Sequence, residues 1–187
     1  LGRIAPEKNL GLAVRAFREI QKHCPAARFV WVGDGPAREA IAKENPDFMF
    51  CGLQRGQALA RHFASSDLFL FPSRSETYGN VTLEAMASGV PTVAFDYGAV
   101  RERLRDGEHG AAVSNDIADG DDAFVRAALR IAEDTSLRAQ MRLAARDAIS
   151  ILRPEQVAAD FDAILQRLAH AGKHHEQRLV SSPAAHE

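Results

Sequence analysis

The chain has 187 residues, 46% of them hydrophobic and 26% charged, enough to bury one domain core without disulfides or a structural metal. Lys plus Arg number 23 against 25 Asp plus Glu, a net charge of -2, which removes the case for a general nucleic-acid or polybasic membrane binder. No apolar run approaches the roughly 20 residues of a bilayer span, the first residues do not resemble a signal peptide, and Cys24 and Cys51 form no metal or disulfide motif, so the reading is a cytoplasmic chain.

Asn9 is placed to cap a first helix whose apolar positions Ala13, Val14, Phe17, Ile20 and Cys24 recur at three- and four-residue spacing, and Pro25 ends it. Arg28 to Val32 reads as a buried strand, with Trp31 in the core, closed by Gly33-Asp34-Gly35. A helix from near Pro36 to about Lys43 follows, then a short strand from Asp47 to Phe50 that ends at Cys51-Gly52. The scheme repeats with a helix from Gln57 to Ser65, a strand from Asp67 to Phe71, and a loop from Pro72 to Ser75. Asn80 can cap a helix through Ser88 that Gly89 stops, and Val90 to Ala94 is another strand. A short helix covers Val100 to Arg105, and Gly110 to Val113 is the last strand. Apolar residues on both faces of such strands predict one α/β domain, a parallel sheet with helices on both faces. Phe124, Ala128 and Ile131, then Leu137, Met141, Ala144 and Ile149, mark two further helices. After Pro154 a final helix carries the stripe Val157, Phe161, Ile164, Leu165 and Leu168. The expected domain is 1–170, and residues 171–187, with little apolar content, read as a disordered tail.

Ligands of an open α/β sheet bind where the carboxyl ends of strands feed helix N-termini, and the polar, Gly-rich segments fall there. Gly33 and Gly35 also fit a purely structural tight turn. The densest segment runs from Ser73 to Glu84. Gly79 and the amides of Asn80 and Val81 stand at a helix start, suited to a phosphate or diphosphate, and Thr82 adds a hydroxyl in the first turn. Glu76 and Glu84 are eight positions apart, so they need not share a helix face. They can lie on either side of a bound polyol, each accepting bonds from paired hydroxyls, as a nucleotide sugar offers. The plainer alternative is a surface Glu76 and a Glu84 that only favours the helix dipole. Arg3 and Lys8, before the first helix, can offset diphosphate charge without a metal, or be ordinary surface residues; Arg74 reads as a solvated third cation. There is no P-loop, no third glycine of the dinucleotide fingerprint after Gly33-x-Gly35, and no nucleophile elbow around Ser73 or Ser75. The histidines at 23, 62, 109 and 170 are dispersed and indicate no metal or catalytic site.

Four blocks occur in order: Gly2-Arg3 with Lys8-Asn9, Val32-Gly-Asp-Gly-Pro36, Phe50-x-Gly52, and Phe71-Pro-Ser-Arg-Ser-Glu-Thr-Tyr-Gly-Asn-Val-Thr-Leu-Glu-Ala-Met-Ala-Ser-Gly-Val-Pro91. From about Gly2 to Leu168 the chain resembles the C-terminal, donor-binding domain of the retaining GT-B glycosyltransferases of family 4, the glycosyl transferases group 1. The resemblance implies a Rossmann-like fold and a UDP-sugar or GDP-sugar donor, with no metal or cofactor. It gives Arg3 and Lys8 the donor diphosphate and the leaving nucleoside diphosphate, Glu84 the ribose hydroxyls, and Glu76 the transferred sugar near the reacting carbon. Gly79, Asn80 and Val81 would offer backbone contacts and Thr82 a phosphate contact. Leu53 and Gln54 would form the base-binding edge, and the loop at Gly33 would border the donor.

The chain departs from the family at Tyr97-Gly98-Ala99-Val100-Arg101-Glu102, where Gly-Gly-x-x-Glu is common. The resemblance further implies an acceptor-binding N-terminal domain outside these 187 residues, with a glycolipid or saccharide acceptor, and membrane association of the full-length protein as an option. The chain would then be half of an active site and is not expected to turn over alone, and its final helix would show an apolar patch. Two alternatives stand beside this: a nonhydrolysing sugar-nucleotide epimerase-like domain, and a non-catalytic nucleotide-binding or partner-binding module.

Overall fold

The computed structural model describes residues 1–76, 78–116, 118–152 and 154–180, with Pro154 and 170–180 described by backbone alone. A 3-10 turn, Pro6–Lys8, leads into α1 (Leu10–His23), which buries Leu10, Leu12, Ala13, Ala16, Phe17 and Ile20 on one side, as its spacing predicts. Asn9 precedes the helix but does not cap it through its side chain. It sits in the left-handed region at φ 53°, which Asn tolerates better than most residues. The chain then alternates: β1 (Val30–Trp31), α2 (Arg38–Glu44), β2 (Met49–Phe50), α3 (Gly56–Ala64), β3 (Phe69–Phe71), α4 (Asn80–Ala87), β4 (Thr92–Phe95), α5 (Gly98–Arg103) and β5 (Gly110–Val113). Helices α6 (Gly120–Glu133) and α7 (Thr135–Ile149) follow. The architecture is α/β, with every strand pair parallel and helices flanking the strands.

Alternation along β4 divides the core. Val93 and Phe95 pack with Leu12, Ala16 and Ile20 of α1 and with Phe124, Ala128 and Ile131 of α6. Ala94, on the opposite face, packs with Phe63 of α3, Ala85 and Met86 of α4, and Val100 of α5. A strand buried on both faces is largely apolar; Thr92 to Phe95 are all buried, and the one hydroxyl among them, on Thr92, donates to the Val90 carbonyl at 3.1 Å.

The strands are shorter than expected and form two sheets rather than one. β1 pairs with β2, and β3, β4 and β5 pair in that order. Among the described residues β1 and β3 are not hydrogen-bonded to each other. Between them lies a cleft of about 1120 Å³, lined by residues of both.

Residues Leu1–Ile149 form one compact unit and Ser150–Glu187 a second. The second consists chiefly of α8 (Pro154–Val180), on which Val157, Phe161, Ile164, Leu165 and Leu168 are exposed. The helix runs on past residue 170, where the sequence places a disordered tail, because 171–180 still carry residues of good helix propensity such as Lys173, Glu176, Gln177, Arg178 and Leu179. The expected tail at 181–187 lies outside the described residues.

Candidate functional site

The carboxyl ends of β1 and β3, the 3-10 turn and the start of α4 converge at the mouth of the cleft. Six residues singled out in the sequence line it: Arg3, Lys8, Glu76, Gly79, Asn80 and Val81. Gly79 holds φ at 94° and itself takes the cap position, so that α4 begins at Asn80, one residue earlier than a cap at Asn80 would place it. The Thr82 amide turns back to the Gly79 carbonyl at 3.0 Å, while the Asn80 and Val81 amides belong to the first turn, where helix amides have no intrahelical partner. The helix dipole adds partial positive charge at the same point.

Lys8 forms a half-buried ion pair and hydrogen bond with Glu76, 68 residues away in sequence. Arg3 instead turns outward to Glu7 at 3.2 Å and is largely exposed. The mouth thus holds two cations, one engaged by the site's own carboxylate and one loosely held at the rim.

The loop carrying Glu76 is braced from behind. Tyr97 donates its hydroxyl to the Ser73 carbonyl at 2.9 Å. Burial raises the Tyr97 phenol above its ordinary value; the bond to Ser73 opposes this and the charge of Glu76 adds to it. The Ala99 amide donates to the Tyr78 carbonyl at 2.8 Å, and the Tyr78 hydroxyl donates to Glu102 at 3.0 Å. The segment 97–102, where the chain departs from the family pattern, therefore supports this loop.

Arg74 is not a solvated cation. Its guanidinium stacks 3.9 Å over the Phe95 ring and donates to the Asn115 side chain at 2.7 Å and to Asp121 at 2.8 Å. Nothing local to Arg74 signals these partners, which lie 41 and 47 residues away. Tyr78, Tyr97 and Ala99 were missed for the same reason.

Other expected residues stand outside the cleft lining. Glu84 is exposed on α4, and Thr82 is fully buried with its hydroxyl unpartnered. Leu53 is exposed, and Gln54 donates to the Cys51 carbonyl at 2.6 Å. Gly33 has a clear packing reason: a Cβ there would lie 1.9 Å from the Gly2 carbonyl oxygen, and its φ is 135°. Among the described residues no group of three or more His, Cys, Asp or Glu is placed to hold a metal ion, and no helix is long and apolar enough to cross a membrane.

The chain is 43% identical over 103 residues to a GDP-mannose-dependent alpha-mannosyltransferase of Mycolicibacterium smegmatis, a match covering 54% of this chain and 26% of the relative. It is 38% identical over 112 residues to the sulfoquinovosyl transferase SQD2 of Arabidopsis thaliana, covering 59% of this chain and 21% of that protein. The chain thus spans only about a fifth to a quarter of the length of these relatives. Among solved structures, the pneumococcal O-GlcNAc transferase GtfA, in complex with UDP and GlcNAc, superposes with a TM-score of 0.75 at 22% identity over 90% of this chain and 35% of that one. The C-terminal domain of a group 1 glycosyl transferase, LpcC of Francisella tularensis, gives 0.68 at 22% identity over 81% and 82%; at such identities the likeness speaks for the fold. The family profile "Glycosyl transferases group 1" matches residues 1–134. On that match the chain belongs to the glycosyl transferases group 1, as a GT-B domain corresponding to the C-terminal, nucleotide-sugar-binding region of its longer relatives.

Proposed function

We propose that the chain is the donor-binding half of a retaining glycosyltransferase that takes a nucleoside diphosphate sugar. The observation that carries this reading is the convergence of Lys8, Glu76 and the first amides of α4 at one cleft mouth. A donor diphosphate seated on the Asn80 and Val81 amides would meet Lys8, and Arg3 could swing in from the rim. In transfer, negative charge grows on the departing diphosphate, and fixed amides and cations already aimed at it lower the barrier. Glu76 sits beside Lys8 and would face the sugar, while Glu84, farther along α4, would reach the ribose from the exposed side. Leu53 and Gln54, after β2, would edge the base. Thr82 acts on the donor only if its turn opens, since its hydroxyl is buried. The relatives named for GDP-mannose and the structure holding UDP favour a GDP-sugar or UDP-sugar. The acceptor, a glycolipid or saccharide, would be held by a domain outside these residues, so the isolated chain binds donor without turnover.

Isothermal titration of the folded chain with UDP, GDP and ADP tests this. One nucleotide is expected to bind, and Lys8→Ala to weaken it by about 10- to 100-fold, the loss of one charged hydrogen bond. Glu84→Ala should weaken binding of the same nucleotide. Absence of binding at millimolar nucleotide overturns the proposal.

A further inference from the structure

The first turn of α6 carries Asp121 and Asp122 side by side. Asp122 accepts a hydrogen bond from Arg15 of α1, the helix that follows Lys8. Asp121 accepts one from Arg74 at 2.8 Å, and Arg74 stands two residues before Glu76. Farther along, Phe124, Ala128 and Ile131 of α6 pack with Leu12, Ala16 and Ile20 of α1. Each member of the Lys8–Glu76 pair is thus joined, through its own segment of chain, to the same helix end.

The two links are unequal. The side chains of Arg15 and Asp122 are both more than half exposed, and an ion pair in that setting contributes little. The Arg74 side chain is only 25% exposed, and its guanidinium is engaged on its face and along its edge. It lies 3.9 Å from the centroid of the Phe95 ring and donates to the Asn115 carbonyl at 3.0 Å and the Asn115 side-chain oxygen at 2.7 Å, besides Asp121. Gly120 leaves room for it: a Cβ there would stand 3.0 Å from Arg74 Nη2 and 2.8 Å from the Ser114 carbonyl oxygen. A planar cation stacked on a ring and bonded at its edge is held in one orientation. The end of β4, the segment after β5 and the start of α6 therefore fix Arg74, and with it the short run of backbone between buried Ser73 and Glu76.

The geometry points to Arg74 as a positioning residue for the cleft mouth. Held by α6 and Phe95, it sets the loop that keeps the Glu76 carboxylate on Lys8 and turned toward the transferred sugar. The part of this role that concerns the sugar rests on the donor-site reading above. The placement of Glu76 on Lys8 does not, so the two fail separately.

Arg74→Met keeps an unbranched stem and removes the guanidinium; Asp121→Asn, on α6, loosens the same hold by less. Acetylation of each lysine by an N-hydroxysuccinimide ester, read by peptide mass spectrometry on the unliganded 187-residue chain, reports the pair directly. Glu76 covers the half-buried Lys8 nitrogen, and the reagent reaches it when the pair opens. Arg74→Met is expected to raise the Lys8 rate roughly threefold or more, and Asp121→Asn by a smaller factor, with Lys22 and Lys43 unchanged. Glu76→Gln should raise the Lys8 rate as well, and adding Arg74→Met to it should change nothing further. An unchanged Lys8 rate in folded Arg74→Met overturns the proposal. So does a rise shared by Lys22 and Lys43, or a full additional rise in the double variant. Where Arg74→Met loses the fold by circular dichroism, Asp121→Asn decides, and an unchanged Lys8 rate there overturns the proposal. Titration with UDP and UDP-glucose, and with GDP and GDP-mannose, carries the variants to the donor. Arg74→Met should lower the affinity for the nucleotide sugar relative to its nucleoside diphosphate by roughly threefold. Weakening of both ligands by one factor overturns the role toward the sugar. A parent chain that binds none of the four overturns the donor-site reading, while the Lys8 rates still decide the placement of Glu76.

Discussion

Lys8 and Glu76 are each other's partners before any donor arrives. A diphosphate at the α4 amides must therefore compete with Glu76 for the ammonium group. Replacing the carboxylate by its neutral isostere removes that competitor while preserving shape. Glu76→Gln should accordingly bind nucleoside diphosphate several-fold tighter than the parent in titration calorimetry, in contrast to Lys8→Ala. Equal or weaker binding by Glu76→Gln would mean that the pair does not oppose the diphosphate. Gly33 yields a second prediction at this scale. A methyl group there meets the Gly2 carbonyl at 1.9 Å in a backbone conformation that L residues rarely adopt. Gly33→Ala should lower stability by at least 1–3 kcal/mol, read by chemical denaturation. The Gly33 turn and the glycine at the start of α4 were legible in the sequence because motif and spacing are local. Arg74 was not, since what fixes it is Phe95, Asn115 and Asp121, and no local pattern announces a guanidinium stacked on a distant ring.

The helices were readable because an amphipathic period is written within each segment. Strand bounds were harder, since apolar runs such as Asp67 to Phe71 show where a strand fits but not where pairing starts. β3 pairs only from Phe69, through the partners Thr92 to Ala94. The same limit hid the split into two sheets, which depends on what lies between β1 and β3. One contact between elements supports a pH prediction. Arg18 of α1 grips Asp47, just before β2, with bonds of 2.6 and 2.8 Å, and its guanidinium also sits 4.4 Å from the Phe48 ring centroid. The hydrogen bond from Arg18 holds the Asp47 carboxyl well below its ordinary value of 3.8. A depressed folded value means that the stabilisation is present above pH 3.8 and is lost as pH falls below it toward the folded value. Asp47→Asn should thus flatten the acid limb of the melting temperature below about pH 4 and lower the plateau by a few degrees. An unchanged acid limb would show the pair to be thermodynamically silent. Tyr97→Phe removes the brace between α5 and the Glu76 loop; the expected loss is about 1 kcal/mol, with weaker nucleotide binding as the loop loosens.

At the scale of the whole molecule, near-neutral charge and a cleft mouth built from two cations and a helix end belong together. On the proposed reading, phosphate recognition rests on a few fixed groups rather than on a basic surface. In the 187-residue chain the Leu1 amine is buried, and burial pushes its pKa from 8.0 to about 6. Between those values the unfolded chain binds the proton more tightly than the folded one, so stability rises with pH across this window. Above pH 8 the amine is neutral in both states and the penalty vanishes; below pH 6 it is charged in both and the penalty is full, up to about 2.7 kcal/mol for two pH units. Melting temperatures of the chain with a free Leu1 amine should therefore fall from pH 8 to pH 6, and N-terminal acetylation, which removes the charge, should remove the part of that slope due to the amine. The two forms differ only at the amine, so the difference between the two curves isolates it. If the curves coincide, the amine is solvated in the folded chain and the cleft is open to water at Leu1. If acetylation flattens the slope, it is the charge on the amine, and not the bulk of the end group, that lowers the stability of the chain near neutral pH.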